Sequence, residues 1–269
     1  MSPPGTERPD RDPTSSPFTR DEQDAAEVGL ALARAGVYRL LGGAFAYPAE
    51  AGLEELGRLA VAAADGPLGA PPLSGPLRAL AKAIRESDAG ALAQEHVFLF
   101  DRQVRCPPYE GAYGDAPQLA GKAAQLADVA GFYAAFGLEP AAARPDSEDH
   151  IAAELEFMSA LALKEAYLLA EGAADGIEVT RRAQARFLAD HLGRWAQALA
   201  DALREATALP YYAAVGDLLA AWVGAEVSRL AASPLRVQTR LGHDPLQEDG
   251  FTCPMAADEV PMDEGPRRG

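Results

Sequence analysis

PDSEDHIAAELEFMSALALKEAYLLAE, Pro145–Glu171, reads as one long helix running from about Asp146 to Glu171. Asp146 or Ser147 is placed to cap it, and Glu148 and Asp149 fall in the first turn, where the helix dipole favours anions. His150 does not fit that account, because the same dipole disfavours a charged imidazole. Its spacing supplies another reason for it. His150, Glu154, Phe157 and Leu161 recur at i, i+4, i+7 and i+11 and so share a face, with Asp149, Ala153, Glu156 and Ala160 on the adjoining stripe. An acidic ridge beside an apolar strip suits a peptide in which arginines precede hydrophobic residues, since carboxylates grip guanidinium in a bidentate fork.

The same period extends in both directions. Upstream, helices are expected from Asp21 to the breaker Tyr47-Pro48, with Thr19 or Asp21 as cap, then over Ala49–Ala64, Leu77–Glu86, Ala89–Phe100 and Gln118–Phe136. Downstream, one helix is expected over Glu178–Thr207, with Leu188, Leu192, Trp195 and Leu199 as its apolar stripe, and another over Pro210–Ala232. The Pro- and Gly-rich stretches Asp65–Pro76 and Asp101–Pro117 read as loops. There are three isoleucines against abundant alanine and leucine, a balance that suits helix better than pleated sheet. The expected fold is all-α, one domain of about eight helices over residues 21–232. Residues 1–20 and the acidic, Pro- and Gly-rich 233–269, with the apolar patch Phe251–Met255, are expected to be disordered tails.

A net charge of −16 excludes a nucleic-acid role, because a phosphate backbone needs a basic face. It makes a cationic partner attractive. No apolar run approaches the roughly 20 residues of a membrane span. The N-terminal stretch has no apolar core of a secretory signal, and two cysteines, Cys106 and Cys253, cannot build a disulfide framework. A cytoplasmic protein with reduced thiols is expected.

Two segments carry candidate chemistry. One is the helix start already described. The other is CPPYEGAYG, Cys106–Gly114, where two prolines force an extended path and Tyr109 and Tyr113 bring amphipathic rings on either side of Glu110. That loop either packs its tyrosines onto the helices or lines a groove for an apolar ligand segment. His191, at helical spacing between Phe187 and Trp195, reads as a core histidine, and His96 likewise as structural. The histidines and cysteines show no metal-ligand spacing, and no hydrolase, P-loop or dinucleotide signature is present, so neither a metal nor a cofactor of its own is expected. An acid–base pair of His150 and Glu154 is the one enzymatic alternative.

These segments resemble the TorD/DmsD/NarJ family of molybdoenzyme chaperones. The family pattern of an aromatic helix end, a PPYES-like loop and a PDH…ELEFM helix is matched by EHVFLF (Glu95–Phe100), PPYEGAY (Pro107–Tyr113) and DHIAAELEFM (Asp149–Met158). Downstream, Phe187, Leu188, His191, Leu192 and Trp195, then Pro210–Tyr212, continue the likeness, which spans about Ala25 to Leu230. The resemblance implies an all-helical chaperone, not an enzyme. It would bind the twin-arginine signal peptide of a DMSO-reductase-family catalytic subunit and hold it until that client receives its molybdopterin guanine dinucleotide. It implies client-binding roles for Pro108, Tyr109, Glu110, Tyr113, His150 and an aspartate, with Glu154 and Phe157 beside them. Three extra residues in PDSEDH leave Asp146 and Asp149 both eligible for the aspartate's role, and Gly111 stands where many members have serine. The nitrate-reductase branch offers an alternative, an assembly factor acting on the client's mature region. A monomer or an element-swapped dimer is compatible with such a domain.

Overall fold

The computed structural model describes residues 19–113, 119–139 and 147–237. Asp146 and the stretches 1–18 and 238–269, with the Phe251–Met255 patch, lie outside them. Among the described residues nine α-helices follow one another. They are α1 (Arg20–Ala44), α2 (Glu50–Asp65), α3 (Ser74–Glu86), α4 (Ala89–His96), α5 (Leu119–Ala135), α6 (Ile151–Ala170), α7 (Ala174–Asp190), α8 (Leu192–Ala206) and α9 (Pro210–Arg229). A π-helical turn, Val97–Arg102, prolongs α4. There is no β-sheet among these residues, only a single antiparallel bridge between Tyr109 and His150.

Thr19 starts α1 through a capping box. Its side chain accepts from the Glu22 amide at 3.3 Å, and the Glu22 carboxylate accepts from the Thr19 amide at 2.8 Å. α1 lies along α6, the most extensive pairing in the fold, stitched where Ser159 donates to the Ala35 carbonyl at 2.9 Å. α8 and α9 pair on the other side, and α3 packs against α9 and α2. The core between them holds Trp195, Trp222, Tyr38, Tyr211, Tyr212 and Phe187, all fully buried.

Where one helix was expected over Glu178–Thr207, two are found. The backbone of His191 leaves the helical region (φ −130°, ψ −102°), ending α7 and starting α8. Gly193 is required at this break, because a Cβ there would stand 2.3 Å from the Leu188 carbonyl oxygen. Beyond α9 the chain turns back onto the same corner, and the Val237 amide donates to the Arg194 carbonyl at 3.0 Å.

One buried ion network ties four helices together. Arg34 of α1 donates through Nε to both oxygens of Glu226 on α9 (3.0 and 2.9 Å), and through Nη1 to Glu165 on α6 (2.6 Å). Its Nη2 reaches Gln184 on α7, whose amide in turn donates to Glu165 at 2.9 Å. Arg181 donates to Glu165 at 2.6 Å, and Tyr38 donates to Glu226 at 3.1 Å. Desolvation works to raise the Glu165 carboxyl, but the donors from Gln184, Arg181 and Arg34 outweigh it and hold it below the usual carboxylate range.

Candidate functional site

The loop and the helix start that the sequence singles out are docked on each other. α6 begins at Ile151, later than the expected Asp146, because the chain before it is engaged with the loop. The Ile151 amide donates to the Pro108 carbonyl at 2.8 Å, and the Glu110 amide donates to the Asp149 carbonyl at 2.9 Å. The Gly111 amide donates to Asp149 Oδ2 at 3.1 Å. His150 is itself the N-cap, with Nδ1 accepting from the Ala152 amide at 3.1 Å. That bond needs the Nδ1 lone pair, so a histidine at this position acts as a neutral cap, which resolves its conflict with the dipole.

Beneath the loop the side chains turn inward. Glu110, Asp149 and Glu154 are 2%, 1% and 0% exposed, and Phe157 sits in an aromatic cluster with Tyr133 and Phe187 at 4.8 and 4.7 Å. Of the acidic ridge expected on the surface, Asp149 and Glu154 therefore face the core, covered by the loop and α5, while Glu156 stays exposed. Glu110 Oε2 meets His191 Nδ1 at 3.0 Å. The other ring nitrogen of His191 stands 3.3 Å from Asp128 Oδ2, outside hydrogen-bond geometry. Arg194 approaches Glu110 at 3.8 Å. Glu154 accepts from the Trp195 indole at 3.2 Å, and Tyr113 lies 5.2 Å from the Trp195 ring. Glu110 Oε1, Asp149 Oδ1, Glu154 Oε1 and the Tyr113 hydroxyl are buried without a hydrogen bond among the described residues. Burial and then the charge of Glu110 push the Glu154 carboxyl well above the usual range, with Asp149 adding to the rise and Trp195 opposing it.

The rings of Tyr109 and His150 stay half-exposed at the surface, edge to face at 5.2 Å. Cys106, at the start of the loop, is buried, and burial pushes its thiol up to about 12, so it is no nucleophile. The His150–Glu154 acid–base pair does not form a common site, since one side chain caps a helix and the other is sealed under the loop.

The remaining motifs also find each other. Glu95 of EHVFLF accepts from Thr207 Oγ1 at 2.6 Å and from the Ala208 amide at 3.2 Å, just before α9. His96 and Phe100 pack on Tyr212 at 6.4 and 5.8 Å. His96 also meets Tyr47 edge-on at 5.4 Å. Burial holds His96 below the usual histidine range, against the pull of Asp101, and nearby His150 adds to that lowering. Tyr47, 61% exposed, divides two open cavities. One, about 290 Å³, is lined by Tyr47, Pro48, Leu53, Leu56, Leu59 and Glu156; the other, about 440 Å³, by Tyr47, Val97, Phe98 and Arg102 among others. Sequence reading missed this groove. Its signal was Tyr47-Pro48, which reads as a helix stop but also leaves an aromatic ring standing between α1 and α2.

Residues 69–201 match the family described as nitrate reductase delta subunit, a span that holds the EHVFLF, PPYEGAY and DHIAAELEFM segments. No curated protein matches the chain significantly. Among solved structures, a redox enzyme maturation protein from Archaeoglobus fulgidus aligns at 20% identity over 69% of this chain and 93% of its own, with a TM-score of 0.45. That family is one of maturation chaperones rather than enzymes, and its members bind a molybdoenzyme catalytic subunit. Over residues 69–201 the chain matches this NarJ/TorD-type chaperone family. No helix among the described residues is long and apolar enough to cross a membrane.

Proposed function

We propose that this chain is a cytoplasmic chaperone for the twin-arginine signal peptide and apo-form of a DMSO-reductase-family molybdoenzyme. It assists insertion of molybdopterin guanine dinucleotide and restrains export until that step is done. Residues 21–232 form the chaperone domain, with 1–20 and 233–269 as appended tails. The observation that carries the reading is the groove at Tyr47. Leu53, Leu56 and Leu59 offer an apolar trough, and the exposed carboxylate of Glu156 lines the same groove. A leader with arginines ahead of an apolar stretch is complementary to that surface on a chain of net charge −16. Tyr109 and His150 touch the peptide from the docked loop. Pro108, Glu110, Tyr113, Asp149, Glu154 and Phe157 act through the seating of that loop.

The test is fluorescence anisotropy with a labelled synthetic leader, in arginine and lysine versions, on folded protein checked by circular dichroism. Tyr47→Ala is expected to weaken binding about tenfold, the scale of a buried aromatic anchor, and His150→Ala several-fold. Val179→Ala, exposed on α7 away from the groove, leaves it unchanged. Unaltered affinity in both Tyr47→Ala and His150→Ala counts against the reading. The family description favours a second reading, an assembly factor gripping the client's mature region. Client binding that survives deletion of the leader selects it.

A further inference from the structure

Three carboxylates share the space under the PPYEGAY loop, and positive charge reaches one of them. The Arg194 guanidinium stands 3.8 Å from Glu110, and a ring nitrogen of His191 meets the same carboxylate at 3.0 Å. Lys122, on α5, lies against Gly111 at the surface. Asp128, also on α5, adds a further carboxylate on the far side of His191. Tyr133 commits its hydroxyl to the Glu148 carbonyl at 2.8 Å, and His150 its Nδ1 to the helix start. Glu154 is left with the Trp195 indole on one oxygen, nothing on the other, and no ion pair among the described residues.

We propose that Glu154 is a proton-held latch. The loop stays seated on α6 while Glu154 carries a proton, and ionisation of Glu154 releases it. A protonated Glu154 is neutral, and its second oxygen becomes a hydroxyl donor rather than a bare anionic acceptor. An ionised Glu154 adds a charge to a desolvated space that already holds Glu110 and Asp149. The structure can relieve that charge most readily at the loop. Residues 107–113 are held by the three backbone-amide bonds to α6 and its approach and by the Glu110–His191 contact, whereas α6 and α8 are fixed by the core. Lifting the loop brings water to Glu154 and lets it ionise. The closed form thus binds one proton more than the open form. The open fraction rises with pH, up to about tenfold per unit, from the ordinary carboxyl value to that of the sealed group. Any partner that holds the loop open displaces this proton. The latch does not depend on what that partner is.

The experiment is amide hydrogen exchange at Glu110, Gly111 and Ile151 between pH 5 and 9, corrected for intrinsic rates, in the full chain and in Glu154→Gln. Expected is a protection loss approaching tenfold per pH unit in the wild type and a flat profile in Glu154→Gln, with α1 and α9 amides more protected than the loop at every pH in both. A flat wild-type profile, or a slope that persists in Glu154→Gln, overturns the proposal. Should Glu154→Gln not fold, the ¹³C shift of the Glu154 carboxyl in the wild type decides. A midpoint in the ordinary carboxyl range overturns the latch, and one well above it supports it.

Discussion

Arg34 and Glu154 are both ionisable side chains buried on the helical pair at the centre of the fold, yet their surroundings differ in kind. Arg34 directs Nε, Nη1 and Nη2 at two carboxylates and an amide oxygen drawn from α6, α7 and α9. Glu154 has one neutral donor and two like charges nearby. The first cluster balances its charge and spans elements that have no reason to move. The second is under-compensated and lies beneath a short loop. A buried charge network that is satisfied fixes architecture, whereas one left short of partners stores a preference for a different arrangement.

The sharpest way to break this comparison is Arg34→Met. It leaves Glu165 and Glu226 buried with their main cation removed, a loss expected at about 3–5 kcal/mol, read as a lower urea midpoint or outright failure to fold. Arg34→Lys keeps the charge but cannot span three partners, and should fall between the two. Next in size is Gly193→Ala. Its Cβ would meet the Leu188 carbonyl, and opening the α7–α8 corner is expected to cost about 1–3 kcal/mol while displacing His191 from Glu110. Urea unfolding, with exchange at the Glu110 amide, measures both parts.

The two clusters should also answer pH in opposite directions. The Glu165 carboxyl is held below its unfolded value, so its contribution is complete above the ordinary carboxyl range and is lost as pH falls through the folded value. The Glu154 carboxyl is held above its unfolded value, so the folded state binds the extra proton and loses stability as pH rises from the ordinary carboxyl range to the folded value. Urea midpoints across pH 3–9 should therefore show an acid limb and a neutral-to-alkaline decline. Glu154→Gln is expected to remove the decline and leave the acid limb in place. A decline that survives in Glu154→Gln would separate it from this carboxyl.

Most of the helices were legible because their apolar stripes repeat at helical spacing whatever they pack against. The exception shows the limit. Phe187, Leu188, Leu192 and Trp195 keep that spacing through His191, so periodicity joins α7 to α8, and only the absent Cβ of Gly193 hints at the break. Arg34 interrupts the stripe Leu30, Val37, Leu41 of α1, a charge in an apolar position that signals a buried partner without saying which. The site was half legible for a related reason. Spacing placed His150, Glu154 and Phe157 on one face of α6; Glu154 and Phe157 share a buried face, whereas His150 is the cap before the helix with its ring at the surface. Which way that face turns depends on residues 38 to 43 positions away, Pro108, Glu110 and Gly111, and sequence spacing carries no such distance.

The smallest effect tests whether His150 belongs to the seating of the loop or to the surface beside it. His150→Ala removes the acceptor for the Ala152 amide, and loss of an N-cap is expected to cost about 1 kcal/mol. It also removes the ring that meets Tyr109. His150→Asn restores a side-chain acceptor of cap geometry without the ring. A stability defect in Ala that Asn repairs assigns the imidazole to the helix start. Peptide affinity is the second axis, because a cap acts on it only through loop order whereas a ring in contact acts directly. If Asn restores stability and leaves leader affinity low, the ring itself touches the peptide. If Asn restores both, His150 works through the loop, and the surface left to meet the client is Tyr109 and the groove at Tyr47.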